Sequence, residues 1–512
     1  MNQIVVVIDF GGQYAQLIAR KIRECHVYCE VLPWESSREE ILKKDPIGIV
    51  LSGGPSSVYE AGAPTVDPAL LKAGIPVLGI CYGCQLMVHL LGGGVMPAAA
   101  DTAREYGRTK TRYDGTCPLF SQLPAEGISW MSHGDYVKGL PEGFRVTATT
   151  EHCPNAGIAD PERKLYGLQF HPEVRHTEDG QEMIRRFLFD ICGAAGDWAM
   201  EDFARRSIRQ IRETVGEGSV LLALSGGVDS AVAAVLIERA IGNRLHCIYV
   251  DHGLMRKQES EEIETYYSTL SMDFRRVDAG DLFLEDLGGV TDPEEKRKRI
   301  GADFVKVFAK EAASIGAVDY LAQGTIYPDV IESGASGGHV IKSHHNVGGL
   351  PKEIGFRGVL EPLRVLFKDE VRALGRELGL PERIVSRQPF PGPGLAVRIV
   401  GEVTEDKLRM VREADAIFRE VMDRQDMTRK PDQYFAALTN MRSVGVMGDE
   451  RSYLYTVALR AVCTEDFMTA DFTRIPYEAL EEASRRIVNE VSGVNRVMYD
   501  ITSKPPATVE YE

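Results

Sequence analysis

The sequence predicts an α/β protein with two doubly wound, mostly parallel-sheet domains followed by a small C-terminal α+β domain. Three observations carry that expectation. Short apolar runs alternate with amphipathic stretches over residues 1–190, and a second such series starts near residue 219. The alternation then breaks at a glycine- and proline-rich stretch, RQPFPGPGLAVR (387–398). A chain of 512 residues also exceeds one ordinary core.

In the first series QIVVVIDF (3–10), IGIVLSGG (47–54), IPVLGICYG (75–83) and LYGLQF (165–170) read as buried strands ending in turns, with helical patterns such as QYAQLIARKIRE (13–24) between some of them. Residues 197–218 read as a helix linking this series to the next, whose strands are SVLLAL (219–224), RLHCIYV (244–250) and DYLAQG (319–324). Thr291 and Glu294 have the spacing of a capping box, opening a charged helix toward Ala313. Beyond residue 398, helices near 404–424 and 476–491 flank a strand at 452–462. The domains expected are 1–193, 197–387 and 388–512.

Composition narrows the function classes. A formal net charge of −16 argues against a broad nucleic-acid surface, which needs clustered Lys and Arg, but leaves room for a small phosphate pocket. Nine cysteines, an odd number without a regular framework, read as reduced thiols in a cytoplasmic protein. The start, MNQIVVVIDFGG, lacks the form of a signal peptide. The uncharged stretch 76–100 has the length of a membrane span, but Gln85, His89 and its glycines and prolines favour a soluble α/β core.

GICYG (79–83) lies between an apolar run and a helical pattern, the setting of a nucleophile elbow with cysteine in place of serine. Tight turns need glycine where a Cβ would clash, and Cys81 would stand at a helix N-terminus, where the dipole favours an anionic nucleophile. Cys81 and Cys84 also form a C-x-x-C pair, open to redox or metal-binding readings, with Cys25, His26 and Cys29 as weak support for the latter. Buried filler is a third possibility for Cys81. In LYGLQFHPEV (165–174), His171 and Glu173 are two apart, so an extended backbone would place them on one side. Glu173 would then fix the His171 tautomer and leave the other ring nitrogen for Cys81. A surface pair is the alternative. LSGGPSSV (51–58) offers backbone N–H groups at Gly53 and Gly54 that, with Tyr82, would form an oxyanion hole; a plain turn is the alternative. Together GxCYGxQ, SGGP and HPEV resemble class I, triad-type glutamine amidotransferases. That resemblance implies a Cys81–His171–Glu173 glutaminase releasing ammonia through a thioester.

SVLLALSGGVDSAVAAVLIERAI (219–241) is a strand, a glycine turn and a helix, but neither a Walker A loop nor GxGxxG. The N–H groups of Gly226, Gly227 and Val228, with the hydroxyls of Ser225 and Ser230, would cradle an anion at the start of a helix that continues through Ala231. Asp229 fits an anion site only with a cation such as Mg²⁺ between it and phosphate. An ordinary strand–helix turn is the alternative. SGGVDS resembles the loop of ATP pyrophosphatases, which implies adenosine near HCIYVDHG (246–253) and release of AMP and pyrophosphate. Asp329 and Glu332 stand near a strand end where α/β ligands bind. The glycine-rich segment 333–351, with Lys342, His344 and His345, suits a lid over phosphates or a surface loop. Lys368 reads as a phosphate contact or as a capped helix start.

Over essentially its whole length, this order of motifs, completed by PFPGPGLAVR and SKPPATVEYE (503–512), resembles the GMP synthetase (glutamine-hydrolysing) family. The resemblance implies that glutamine, ATP and xanthosine monophosphate (XMP) are substrates, with Mg²⁺, no redox cofactor, and a homodimer formed through the C-terminal domain. It implies XMP-binding roles for Arg297, Gln433, Asp449, Lys504 and Glu510. Without it, EEKRKRIG (294–301) reads as a solvated helix face and the tail as a frayed end.

Overall fold

A computed structural model describes residues 3–97, 105–334, 356–427, 430–447, 450–464 and 469–512. They form two compact units, 1–203 and 204–512. The linking helix, Met200–Val215, crosses that division.

The strands of the first unit are β1 (Ile4–Asp9), β2 (Tyr28–Pro33), β3 (Gly48–Leu51), β4 (Val77–Ile80), β5 (Gly94–Pro97), β6 (Glu105–Tyr113), β7 (Glu126–His133), β8 (Asp135–Gly139), β9 (Arg145–Thr149), β10 (Gly157–Asp160) and β11 (Leu165–Leu168). Nine of them make one sheet in the order β2-β1-β3-β4-β11-β10-β9-β6-β7, while β5 pairs with β8. The half from β2 to β11 is parallel, and every pairing beyond β11 is antiparallel. All of β3, β4 and β11 is buried, as continuous apolar runs predict for strands covered on both faces. The antiparallel half escapes a sequence reading because strands such as β6 (EYGRTKTRY) lack an apolar inner face, setting Gly107, Thr109 and Thr111 opposite the exposed Arg108, Lys110 and Arg112. Of the uncharged stretch, residues 76–97 hold β4, the helix Tyr82–Leu90 and β5. No helix among the described residues is long and apolar enough to cross a membrane.

The second unit contains β12 (Val220–Leu224), β13 (Leu245–Asp251), β14 (Asp273–Asp278), β15 (Tyr320–Ala322) and β16 (Gly358–Leu360), an all-parallel sheet in the order β14-β13-β12-β15-β16. Strand order reverses beside β12, so the turn after β12 lies at a topological switch point, where open α/β sheets bind ligands. A second sheet joins β17 (Gln433–Met447), β18 (Glu450–Thr464), β19 (Ala470–Phe472) and β20 (Val494–Asp500). The helices Glu405–Asp423 and Tyr477–Glu490 stand where their apolar spacing predicts.

One core serves both sheets of this unit. Leu221, Ile248 and Val250 of the parallel sheet share it with Leu438, Val457 and Leu459 of the antiparallel one. The glycine- and proline-rich segment enters that core through Leu395, Ala396 and Ile399 rather than running over the surface. The charged helix is Pro293–Ile315, and its cap is Asp292, whose side chain accepts from Glu295 N, rather than the Thr291 expected from the capping-box spacing. Proline explains the one-residue shift: Pro293 occupies the first helical position, where a missing N–H costs nothing.

Candidate active site

In the first unit β4 ends at Ile80 and the helix Tyr82–Leu90 begins two residues later, with Cys81 at the turn. Cys81 has φ +52° and ψ −108°, a conformation that costs a non-glycine residue about 1–3 kcal/mol and recurs at functional turns. Its N–H is held by the Leu168 carbonyl of β11 at 2.7 Å. The flanking glycines are sterically required. A Cβ on Gly79 would lie 2.7 Å from the Gly83 carbonyl, and one on Gly83 would lie 2.2 Å from the Leu51 oxygen. Tyr82 opens the helix, so its N–H is among the amides without an intrahelical acceptor.

His171 and Glu173 are both buried, and His171 Nδ1 lies 2.7 Å from Glu173 Oε1. The pairing matches expectation, but its geometry does not. Both residues stand beyond β11 in a turn around Pro172, not on extended backbone. The turn is tied down by His171 N donating to Trp130 O (3.1 Å) and by Thr177 Oγ1 donating to His171 O (2.5 Å). Burial works against a charge on His171, yet the Glu173 carboxylate and the hydrogen bond with Cys81 outweigh it and raise its pKa well above the ordinary histidine value. A protonated ring beside Cys81 supplies the countercharge that a sulfur nucleophile uses.

Gly53 closes the constellation: a Cβ there would lie 3.3 Å from His171 Cε1 and 3.9 Å from Cys81 Cβ. Its carbonyl accepts from Ser52 Oγ (2.9 Å), which orients the Gly53–Gly54 peptide. A Cβ on Gly54 would press on Phe10 and Tyr82. Sequence reasoning missed Gln169, which is fully buried and sends Nε2 to within 3.8 Å of Cys81 Sγ while accepting from Gln85 Nε2 at 3.1 Å. Only the Gln85 half carried a signal, as the last letter of GxCYGxQ. Tyr14 sets its ring edge-on to His171, with centroids 5.1 Å apart. Cys84, the other half of the C-x-x-C pair, packs in the core with Val88, Val137 and Ile158, and burial holds its thiol protonated. Glu105, His133 and Cys153 form a separate buried polar group, their ligand-type atoms within 4.8 Å of one another. It lies beside Ser132, whose carbonyl meets Cys81 Sγ at 3.8 Å.

In the second unit the turn after β12 leads into the helix Val228–Ile241, which Gly227 caps. Gly226 has φ +75°, the left-handed region that favours glycine. Ser225 and Ser230 hydroxyls lie 3.1 Å apart, Ser225 N donates to Ser230 Oγ (3.3 Å), and Ser230 Oγ donates to Gly227 O (3.0 Å). These bonds hold the turn shut around the helix N-terminus that Val228, Asp229, Ser230 and Ala231 open. Asp229 Oδ2 accepts from Lys368 Nζ at 2.6 Å, while its Oδ1 is buried without a hydrogen-bond partner among the described residues. A hard cation would satisfy that oxygen. Lys368 starts the helix Lys368–Glu377, and its side chain pairs with Asp229 of the loop.

Asp329 is a helix-start residue, its carboxylate accepting from Ile326 N at 3.1 Å. Lys342, His344, His345 and Asp449 lie outside the described residues, as does the Glu332 side chain. The tail is docked, not frayed. Arg297 Nη2 donates to Glu512 O (2.6 Å), Gln433 Nε2 donates to Glu510 Oε1 (2.6 Å), and Lys504 exchanges backbone bonds with Ala470. The helix face around Arg297 is not simply solvated either: Lys296 is fully buried and reaches Ile399 O (2.8 Å) and the Glu512 carboxylate.

His252, after β13, is buried and neutral, because burial pulls its pKa down to about 4 against the opposing charge of Asp251; Leu254 N donates to its Nδ1 at 3.1 Å. The depressed value means that its contribution to stability is complete above pH 6.5 and lost as pH falls toward 4. Denaturant unfolding should therefore show a loss on the order of 3 kcal/mol across that window, absent in His252→Gln. An identical slope in the variant would rule His252 out as the cause.

Three family models match successive parts of the chain. Residues 6–191 match the family model described as glutamine amidotransferase class-I, residues 200–296 the NAD synthase model, and residues 420–511 the GMP synthase C terminal domain. The chain is 58% identical to the GMP synthase [glutamine-hydrolyzing] of Caldicellulosiruptor saccharolyticus and 58% identical to that of Acetivibrio thermocellus, over 100% of both chains in each case. It is 59% identical to the enzyme of that name from Carboxydothermus hydrogenoformans, again over 100% of both.

Proposed function

The chain belongs to the glutamine-hydrolysing GMP synthase family, and from that membership we propose how its own residues divide the work. It is a carbon–nitrogen ligase that uses glutamine as nitrogen donor and ATP as co-substrate to convert XMP to GMP. We propose residues 1–193 as the glutaminase, 197–387 as the ATP pyrophosphatase, and 388–512 as the segment that completes the XMP site and dimerises.

Cys81 attacks the glutamine side-chain amide. Glu173 holds His171 Nδ1–H, so Nε2 exchanges a proton with the sulfur and then delivers one to departing ammonia. The backbone N–H groups of Gly53, Gly54 and Tyr82 receive the oxyanion, and water then hydrolyses the thioester. The observation that carries this assignment is the buried 2.7 Å His171–Glu173 pair beside a cysteine held at positive φ on a helix N-terminus.

At the second site Ser225 to Ala231 bind the pyrophosphate part of ATP, with Lys368 contributing charge. Asp229 would hold Mg²⁺ through Oδ1, which has no hydrogen-bond partner among the described residues, and the ion when bound would neutralise phosphate charge. Lys342 and His344 are proposed as further phosphate contacts. Activation is required because a carbonyl oxygen leaves poorly; adenylylation turns it into AMP, which ammonia displaces. Arg297, Gln433, Asp449, Lys504 and Glu510 are proposed to bind XMP. The shared anchoring of Arg297 and Gln433 on the docked tail supports this.

Exposed apolar side chains in the antiparallel sheet, Val444 and its cross-strand partner Tyr453 with Val446, support a homodimer. Small molecules rather than nucleic acid or membrane are the proposed partners, in a cytoplasmic setting without a redox cofactor. The test is pyrophosphate release from ATP and Mg²⁺ with each acceptor in turn. XMP should support it and a nicotinate-type acceptor should not; the opposite pattern would overturn the XMP assignment.

A further inference from the structure

A chain of alternating charges crosses the second unit from the phosphate loop to the tail. Arg387 donates to the Gly226 carbonyl and, through Nη2, pairs with Glu259 Oε1 at 2.7 Å. The other oxygen of Glu259 accepts from Arg256 N at 3.0 Å. Arg256 Nε lies 3.4 Å from Asp415 Oδ2, and Asp415 Oδ1 lies 3.6 Å from Arg398 Nη1. Arg398 then grips Glu510 with a fork of two bonds, 3.0 and 2.9 Å, while Gln433 donates to the same carboxylate. Phe390, from the glycine- and proline-rich segment, packs against both guanidinium groups, its centroid 4.6 Å from Arg256 Cζ and 5.2 Å from Arg398 Cζ.

Glu259, Arg256, Asp415 and Arg398 are each no more than 4% exposed. Burying four charges is costly, and packed apolar side chains of similar volume would stabilise the fold as well or better. Apolar side chains cannot, however, hold two separated polar groups in fixed directions. The Arg256 guanidinium shows this most plainly. It makes no hydrogen bond among the described residues, so it acts as a charge beside Asp415, with a weaker attraction to Glu259, and as a plate against Phe390. Asp415 is likewise tied at its far side, accepting from Ala436 N of β17 at 3.1 Å. The chain is thus anchored to the parallel sheet side by Glu259 and to the antiparallel sheet by Asp415.

We infer that this buried chain is a positioning device with two ends, Arg387 setting the phosphate loop and Arg398 setting Glu510, with Arg256 as their common centre. The inference rests on the proposed role of Glu510 at the acceptor nucleotide. Neither Arg256 nor Arg398 is a catalytic residue here; each acts through the groups it orients. Arg398 has to be arginine because only the guanidinium fork meets both carboxylate oxygens in one plane.

The test uses the full chain with ammonium salts as nitrogen donor, so that the glutaminase is bypassed. Arg256→Met should raise KM for ATP and for XMP together, each by roughly tenfold, the scale of the coupling between neighbours in one buried charge network. Arg398→Lys should raise KM for XMP alone, and should add nothing further in a Glu510→Gln background. If Arg256→Met does not fold, Arg256→Lys replaces it, keeping charge but losing the planar stack, and should move both KM values in the same direction. Arg256 variants that melt earlier yet leave both KM values unchanged would reduce the chain to a packing role and overturn the inference. So would movement of only one KM. If Glu510→Gln alone leaves KM for XMP unchanged, the acceptor-site assignment has failed instead, and KM for ATP in the Arg256 variant still decides the loop end.

Discussion

Cys81→Ala lowers GMP formation from glutamine by roughly four orders of magnitude or more, the scale of losing a covalent nucleophile, and leaves formation from ammonium salts intact. The asymmetry follows from the structure. Cys81 is set in the first unit at the end of β4, whereas the turn after β12 belongs to the second. Alanine keeps a Cβ at the strained φ and creates no new clash with Gly79 or Gly83, so the elbow should persist. The measurement is steady-state GMP production with each nitrogen donor, alongside a melting curve. Failure of ammonium to restore product in a folded variant would show that the two chemistries are not divided in this way.

Asp229→Asn is the complementary case. It should lower pyrophosphate release by roughly a thousandfold with either nitrogen donor, the scale of removing one charge-stabilising group from a reaction centre. Asparagine retains the shape at the start of the Val228–Ile241 helix but removes the charge that holds Lys368 at 2.6 Å and leaves one oxygen open for a cation. Raising Mg²⁺ should recover part of the loss if Asp229 holds the ion. Equal activity of the variant across the Mg²⁺ range would remove Asp229 from that role and leave it as a partner of Lys368. Taken with Cys81→Ala, this variant separates nitrogen release from nucleotide activation, since one responds to the donor and the other does not.

The cysteine turn and the glycine turn were legible because each is local. A glycine whose Cβ would lie 2.7 Å from the Gly83 carbonyl, a strand that is apolar throughout, and a helix that starts at once afterwards lie close together in sequence. The His171–Glu173 pairing was legible for the same reason, although the chain reaches it through a turn at Pro172 rather than an extended strand. Gln169 was not. A buried glutamine beside a cysteine sulfur has no periodicity of its own, and its partner Gln85 lies 84 residues away in sequence. Asp292 shows a smaller failure of the same type, since two adjacent residues could cap the helix and proline geometry chose between them.

By itself the sequence determined the strand–turn–helix units, the tight turn at Cys81, the glycine turn at the switch point and the order of the segments, because each depends on backbone sterics and short-range spacing. Tertiary structure alone decided that the stretch 387–398 enters a shared core, that Lys296 is buried, and that Arg256, Arg398, Asp415 and Glu259 form one chain of charges. A charged side chain reads as solvent-facing until folding supplies its countercharge, and here Arg398 meets Glu510 across 112 residues of sequence. That pairing is a long-range electrostatic fact, and no local pattern encodes it.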